Sequence, residues 1–197
     1  MKKIFAAAAL AAVAIFNVNA EDEKFYIGGS LGFEHSTADV TVMGDPEKAS
    51  VNSFSILPEF GFNINDKWAV GTTIGYDYKH FCGYKVDSNL FQFNPYARFT
   101  FFRTDNNLLS LFVDGGAGIG TGWVKYGDKD SDTAVTWNIG FRPGVAINLT
   151  DQFSVVAHLG FLGYEGANDT AYATGYDRRG GFLLNGNNLT LGFYFHF

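Results

Sequence analysis

The sequence has 197 residues, a formal net charge of −6 at pH 7 and a single cysteine, Cys82. An acidic chain argues against nucleic acid as a partner, and one cysteine excludes an intramolecular disulfide. The composition, with 24 Gly, 21 Phe and only 4 Pro, is typical of many short strands rather than helices.

The N-terminus has the three parts of a secretory signal peptide. Lys2 and Lys3 precede an apolar run rich in alanine, and Val18-Asn19-Ala20 offers a small-residue cleavage site. We therefore predict a signal peptide over residues 1–20 and one domain over residues 21–197. The signal carries two of the 14 basic residues and none of the 20 acidic ones, so the mature net charge is 12 − 20 = −8.

Beyond the signal, alternation of apolar and small or polar residues predicts eight strands in chain order. The predicted strands cover residues 25–33, about 53–64, 68–78, about 91–101, 109–123, 135–147, 153–162 and 189–197. No run in this region approaches the roughly 20 apolar residues that a spanning helix needs. Any membrane insertion therefore requires strands.

The predicted connections alternate between short and long. Tight turns fall near residues 65, 105 and 150, and longer loops are expected near residues 34–52, 79–89, 124–133 and 165–183. In outer-membrane barrels, short turns face the periplasm and long loops face outward. The pattern predicts an all-β fold, an eight-stranded antiparallel up-and-down transmembrane β-barrel, with both termini periplasmic and the long loops extracellular.

Phenylalanine decides which face of the strands points outward. The apolar strand faces carry 15 of the 21 Phe, at positions 25, 33, 54, 60, 62, 91, 93, 99, 101, 141, 153, 161, 193, 195 and 197. An eight-stranded interior has room only for modest side chains. A large exposed apolar surface is rare on soluble monomers, so we expect lipid around this wall. The alternative is an exported soluble barrel with the apolar face inside.

Aromatic residues on the apolar face also fall at two heights, as in the girdles of membrane barrels. One group lies near the short turns and contains Trp68, Phe101 and Phe153. The other lies near the long loops and contains Phe33, Tyr78, Trp123 and Trp137. The grouping predicts one lipid–water boundary at each end of the strands.

Charged residues on the opposite, inward face are expected to share one layer. Glu59, Arg98, Asp114, Arg142 and His158 each lie about four to six residues from the nearest short turn, and Tyr96 stands in reach of them. Because an unpaired buried charge is costly, this set predicts an ion-pair cluster. We interpret it as structural filling of the lumen, and a relay or gate is the alternative.

Several segments resemble a known family. They are Phe93-Asn94-Pro95-Tyr96-Ala97-Arg98-Phe99, Asp114-Gly115-Gly116-Ala117-Gly118, Phe141-Arg142-Pro143-Gly144-Val145, Leu149-Thr150-Asp151 and Phe161-Leu162-Gly163-Tyr164. The chain resembles the outer-membrane β-barrel domain family, the small OmpA/OmpX-like eight-stranded barrels, and Bacteroidetes members in particular. The resemblance implies a Gram-negative outer-membrane location, structural inward charges, and recognition of the terminal Phe197 by the barrel assembly machinery.

For function, the sequence predicts a non-enzymatic surface barrel that supports the envelope and makes contacts through its loops. Candidate contact residues are Tyr84, Tyr126, Tyr172 and Tyr176, because tyrosine is favoured at binding surfaces. The expected partners are outer-membrane lipid, lipopolysaccharide and a host or cell-surface ligand, with no metal or cofactor. One alternative is a lipid-modifying hydrolase or acyltransferase that uses His35-Ser36, His80 or Ser88. Another is passage of a small apolar ligand through the barrel wall.

Overall fold

The structure is a computed structural model that describes residues 24–42, 45–83, 86–127, 132–176, 178–183 and 190–197. The predicted signal peptide lies outside these ranges. The strands are β1 (Phe25–Val42), β2 (Asp45–Asn63), β3 (Trp68–Cys82), β4 (Val86–Arg103), β5 (Leu109–Tyr126), β6 (Asp132–Asn148), β7 (Phe153–His158), β8 (Phe161–Ala167), β9 (Arg179–Leu183) and β10 (Thr190–His196). Within the described ranges there is one helix, α1, which covers Asp169–Ala173.

The ten strand segments occupy eight positions around a closed antiparallel sheet. β7 and β8 both pair with β6 and together form the seventh position, while β10 and β9 pair with them and form the eighth. β10 also pairs with β1, from Tyr26↔His196 to Gly29↔Phe193, and this pairing closes the sheet. The predicted eight-stranded antiparallel barrel is confirmed.

The inward and outward faces exchange within the seventh position. The ladder is interrupted between β7 and β8, where Gly160 has a φ of 147° that glycine adopts readily. As a result, Phe161 lines the lumen, and Leu162 lies on the outer wall with 46 % of its surface exposed. The predictions of an outward Phe161 and an inward Leu162 are wrong, because the interruption shifts the two-residue period by one position.

Three of the four predicted long loops consist largely of strand. Their ladders continue to Val42↔Asp45, Phe81↔Val86 and Val124↔Asp132. The predicted loops over residues 34–52, 79–89 and 124–133 are therefore wrong in extent. The prediction ended each strand where the apolar alternation stopped, whereas backbone pairing continues through the polar residues beyond it. The predicted loop over residues 165–183 is also wrong in extent, because β8 continues to Ala167 and β9 covers Arg179–Leu183. The connection between these two strands contains α1.

The hairpins extend well past the length that a bilayer requires. β1 and β2 contain 18 and 19 residues, while a tilted transmembrane strand needs only about 9–11. We call the end with both termini the turn end and the opposite end the hairpin end. Among the described residues, no helix has the length and apolar character to cross a membrane.

The outer wall changes from aromatic to polar between two neighbouring rows of residues near the hairpin end. Strand register aligns Phe33, Phe54, Tyr78, Asn89 and Trp123 in one row, and His35, Asn52, His80, Asp87 and Lys125 in the next. The Tyr78 hydroxyl donates to Asp87 at 2.7 Å and joins the two rows. Such a boundary is typical of the lipid–water interface of membrane barrels.

Substitution of a residue on the lipid-facing wall should lower stability by an amount that depends on the residue's height in the membrane. Phe93 lies midway along the wall and is half-exposed, so Phe93→Arg should lower the free energy of unfolding in lipid vesicles by about 2–4 kcal/mol. Phe101→Arg, near the turn end, is the matched control and should cost about 0–1 kcal/mol. Urea titration followed by tryptophan fluorescence measures both. Equal losses at the two heights would contradict a lipid-facing wall.

Candidate functional site

A buried arginine holds two carboxylates together inside the barrel. Arg98 donates from Nε to Asp114 Oδ1 at 2.7 Å and from Nη2 to Asp114 Oδ2 at 2.9 Å, so both guanidinium contacts reach one carboxylate. The same Nη2 lies 3.3 Å from Glu59 Oε1. All three residues are buried. The register of β4 and β5 places Arg98 opposite Asp114, which makes the two-point contact possible.

Aromatic and histidine side chains complete this cluster. Tyr96 donates to Glu59, and its hydroxyl lies 2.7 Å from that of Tyr26. His158 Nε2 contacts Asp114 Oδ2 at 2.8 Å, and the Arg98 guanidinium carbon lies 4.0 Å from the centre of the Phe112 ring. We call the cluster the plug. It consists of Tyr26, Glu59, Tyr96, Arg98, Phe112, Asp114, His158 and Tyr194.

Glycines on neighbouring strands provide the space for the large rings of the plug. A side chain at any of these glycines would collide with a ring of the plug. The glycine–ring pairs are Gly28 with Tyr194, Gly61 with Tyr26, Gly71 with Tyr96, and Gly144 with Phe112. The sequence analysis did not place Tyr26, Phe112 and Tyr194 in the cluster. A large aromatic residue on the inward face, next to an inward glycine on a neighbouring strand, is the sequence pattern that could have indicated them.

Arg142 lies beside the plug but does not share its ion pairs. Strand register aligns it with Asp114, yet both Asp114 oxygens already contact Arg98 or His158. Among the described residues, no carboxylate lies within salt-bridge distance of the Arg142 guanidinium, which stands 5.9 Å from the Tyr96 ring centre. The sequence predicted that both arginines, Arg98 and Arg142, would take part in the ion-pair cluster. In the structure, Arg98 alone of the two pairs with the acids.

The plug separates the lumen into spaces at different heights. A vestibule of about 710 Å³ opens at the turn end and has Arg98 and Phe112 in its lining. On the other side lie cavities of about 230 and 350 Å³, lined mainly by polar side chains such as Gln92 and Asn138. Hydrogen-bonded rings and ions occupy the cross-section between these spaces.

The four candidate contact tyrosines have different positions. Tyr172 lies on α1 with 56 % of its surface exposed. Tyr126 and Tyr176 pack partly buried against the apolar cluster of Leu90, Val124, Ala134 and Ala171. Tyr84 lies outside the described residues. Of the three described tyrosines, Tyr172 therefore has the exposure that a contact residue needs.

Among the candidate catalytic residues whose side chains are described, no serine–histidine pair occurs. His35 contacts Asn52 at 2.7 Å, His80 contacts Asp87 at 2.7 Å, and Ser88 is fully buried. The side chain of Ser36 is not described. In the described part of the chain, the one serine–histidine contact joins Ser154 to His196 at 2.5 Å, and Ser154 is only 1 % exposed. No set of three or more potential metal-binding side chains occurs in this part of the chain.

Comparison with known proteins identifies the family. The model of the outer membrane protein beta-barrel domain matches residues 4–197. The chain belongs to this family. Its membership and its barrel fold place it in the outer membrane, in agreement with the apolar wall. A search of curated proteins finds no match.

Two solved outer-membrane proteins have similar folds. The crystal structure of Neisserial surface protein A is 15 % identical, with a TM-score of 0.54, and the match covers 88 % of this chain and 97 % of that one. The outer membrane protein OprG from Pseudomonas aeruginosa is 14 % identical, with a TM-score of 0.49, covering 88 % of this chain and 95 % of that one. At 15 % identity, the likeness to Neisserial surface protein A shows the fold alone.

Substitution of Arg98 should lower stability much more than substitution of Arg142. Arg98→Met leaves Asp114 and Glu59 buried without their cation, so it should lower the free energy of unfolding by about 3–5 kcal/mol. Arg142→Met is the matched control and should cost less than about 1 kcal/mol, because no carboxylate of the described residues pairs with it. Urea unfolding in detergent micelles measures both variants. Similar losses for both would contradict the assignment of the network to Arg98.

Proposed function

We propose that the protein is a non-enzymatic surface barrel of the outer membrane that stabilises the envelope and presents its hairpin end to the cell exterior. The observation that carries the proposal is the combination of an apolar outer wall with a lumen filled by the plug. A wall of this kind anchors the barrel in lipid. A lumen crossed by paired ions and packed rings favours a structural and contact role over bulk transport.

The hairpin end offers the surface for contacts with lipopolysaccharide or with a ligand on another cell. α1 carries the exposed Tyr172, and Arg178 stacks on this ring at 4.7 Å while it pairs with Asp169 at 2.6 Å. A stiff aromatic ring beside an arginine is a common feature of binding surfaces. The polar row that includes His80, Asp87 and Lys125 lies where lipid headgroups meet the wall.

The proposal also gives the barrel an orientation in the outer membrane. The three short connections and both termini lie at the turn end, and the extended hairpins lie at the other. Outer-membrane barrels have short periplasmic turns and longer extracellular segments. The turn end would then face the periplasm, and strand β10 with Phe197 would be available there to the barrel assembly machinery.

An epitope tag inserted at each end should report this orientation. A tag after Gly127, between β5 and β6, should bind antibody on intact cells. A tag after Asn106, in the turn between β4 and β5, should bind antibody only after the outer membrane is permeabilised. Faster gel mobility of unboiled samples shows that both tagged barrels are folded. Labelling of the Asn106 tag on intact cells would reverse the proposed orientation.

The plug should prevent ion conduction. The purified barrel in a planar bilayer should show no stable single-channel openings, because large water-filled lumens belong to barrels with about 16 or more strands. Tyr26→Ala combined with Tyr194→Ala removes two rings of the plug and should produce openings. Phe25→Ala combined with Phe193→Ala changes the outer wall at nearby positions and should remain silent. Stable openings of the unchanged protein would contradict a closed lumen.

A further inference from the structure

The connection between β8 and β9 crosses the lumen at the hairpin end. It leaves the seventh position of the barrel and reaches β3 on the other side, where Lys79 Nζ donates to the carbonyl oxygens of Thr174 at 3.3 Å and Gly175 at 3.0 Å. The same ammonium lies 3.9 Å from the centre of the Tyr176 ring. We call residues 168–176 the lid.

Two further attachments hold the lid. Asn168 accepts from the backbone of Ala171 at 2.9 Å, which begins α1, and from that of Val135 at 3.0 Å. It also donates to the Thr133 carbonyl at 2.8 Å and so fixes the start of the lid to β6. The third attachment is apolar. Ala171 is fully buried in contact with Leu90, Val124 and Ala134.

The space beneath the lid is lined largely by polar side chains. Its cavities of about 350 and 230 Å³ share Asp77, Gln92, Asn138 and Glu165 in their linings. Thr73 also lines the smaller cavity, and its buried hydroxyl has no hydrogen-bond partner among the described residues. A buried hydroxyl of this kind is costly unless it is bonded to something.

We propose that this space is a binding chamber for a small polar solute, which enters from the hairpin end when the lid opens. Amide, hydroxyl and carboxylate groups line the chamber, so it suits a solute that both donates and accepts hydrogen bonds. On the other side, the plug separates the chamber from the vestibule. The chamber therefore has its entrance at the hairpin end.

The lid is the part of this end that opens most readily. The β3–β4 and β5–β6 hairpins are held by continuous backbone ladders, whereas the lid depends on Asn168, on the packing of Ala171 and Tyr176 against the apolar cluster and on the Lys79 contacts. Segments with few buried apolar contacts open locally at a lower free energy than the rest of a protein. Lys79 is the latch, because its charged hydrogen bonds join the lid to the far wall.

Cysteine labelling tests access to the chamber. In a Cys82→Ser background, Ser55→Cys places a thiol in the chamber, and Ser110→Cys places one in the vestibule. The probe is hydroxyethyl methanethiosulfonate, a small neutral reagent, applied to the full barrel in detergent. Lys79→Met removes the latch, and Ala171→Asp introduces a charge into the apolar contact. Each should raise the labelling rate of Ser55→Cys by about tenfold or more, because Lys79→Met removes hydrogen bonds from a charged donor and Ala171→Asp buries a charge among apolar side chains.

The matched control is Ala173→Asp, which introduces the same charge at an exposed position of the same helix. It should leave the rate at Ser55→Cys unchanged, and neither lid variant should change the rate at Ser110→Cys. Heat-dependent gel mobility shows that each barrel is closed. Equal labelling of Ser55→Cys in all variants, or a parallel rise at Ser110→Cys, would overturn the lid. Absence of labelling even in the lid variants would overturn the chamber.

Discussion

Closure of the sheet between β1 and β10 is the constraint on which the rest of the molecule depends. Backbone pairing runs from Phe25 and Phe197 to Gly29 and Phe193 and removes the free edges that the first and last strands would otherwise have in this part of the wall. In hydrocarbon, each unpaired backbone group costs several kcal/mol. Once the sheet is closed, one face of every strand must point to lipid and the other into a narrow lumen. The aromatic wall and the plug are the two consequences.

The plug shows how a narrow lumen accommodates large and charged groups. Arg98 pairs with two carboxylates, and the rings around it occupy the space left by inward glycines such as Gly61 and Gly144. The same cluster therefore pairs the buried charges and fills the available volume. A lone charge would be too costly here, and a larger residue at either glycine would collide with a ring. Arg142 is outside this arrangement and lies beside the Tyr96 ring instead.

Much of the barrel could be predicted from the sequence because membrane strands follow a strict period of two. The eight positions, their order and the inward placement of Arg98 and Asp114 follow from that period. The exchange of faces at Gly160 could not be predicted, since an interrupted ladder leaves no trace in an apolar pattern. The lengths of the hairpins also could not be predicted, because the polar strand segments beyond the membrane have no apolar face that would mark them in the sequence. The lid depends on tertiary contacts, such as that of Lys79 with Gly175, which no local pattern encodes.

The two rows on the outer wall also determine how the barrel sits in its membrane. Phe33, Tyr78 and Trp123 lie in one register row that crosses β1 to β5, and the polar residues His35, His80 and Lys125 lie in the next row toward the hairpin end. Sinking the barrel by one row would bury that polar row in hydrocarbon, and raising it would expose aromatic rings to water. The boundary between the two rows therefore marks where these strands leave the lipid. The two rows oppose movement of the barrel into or out of the lipid.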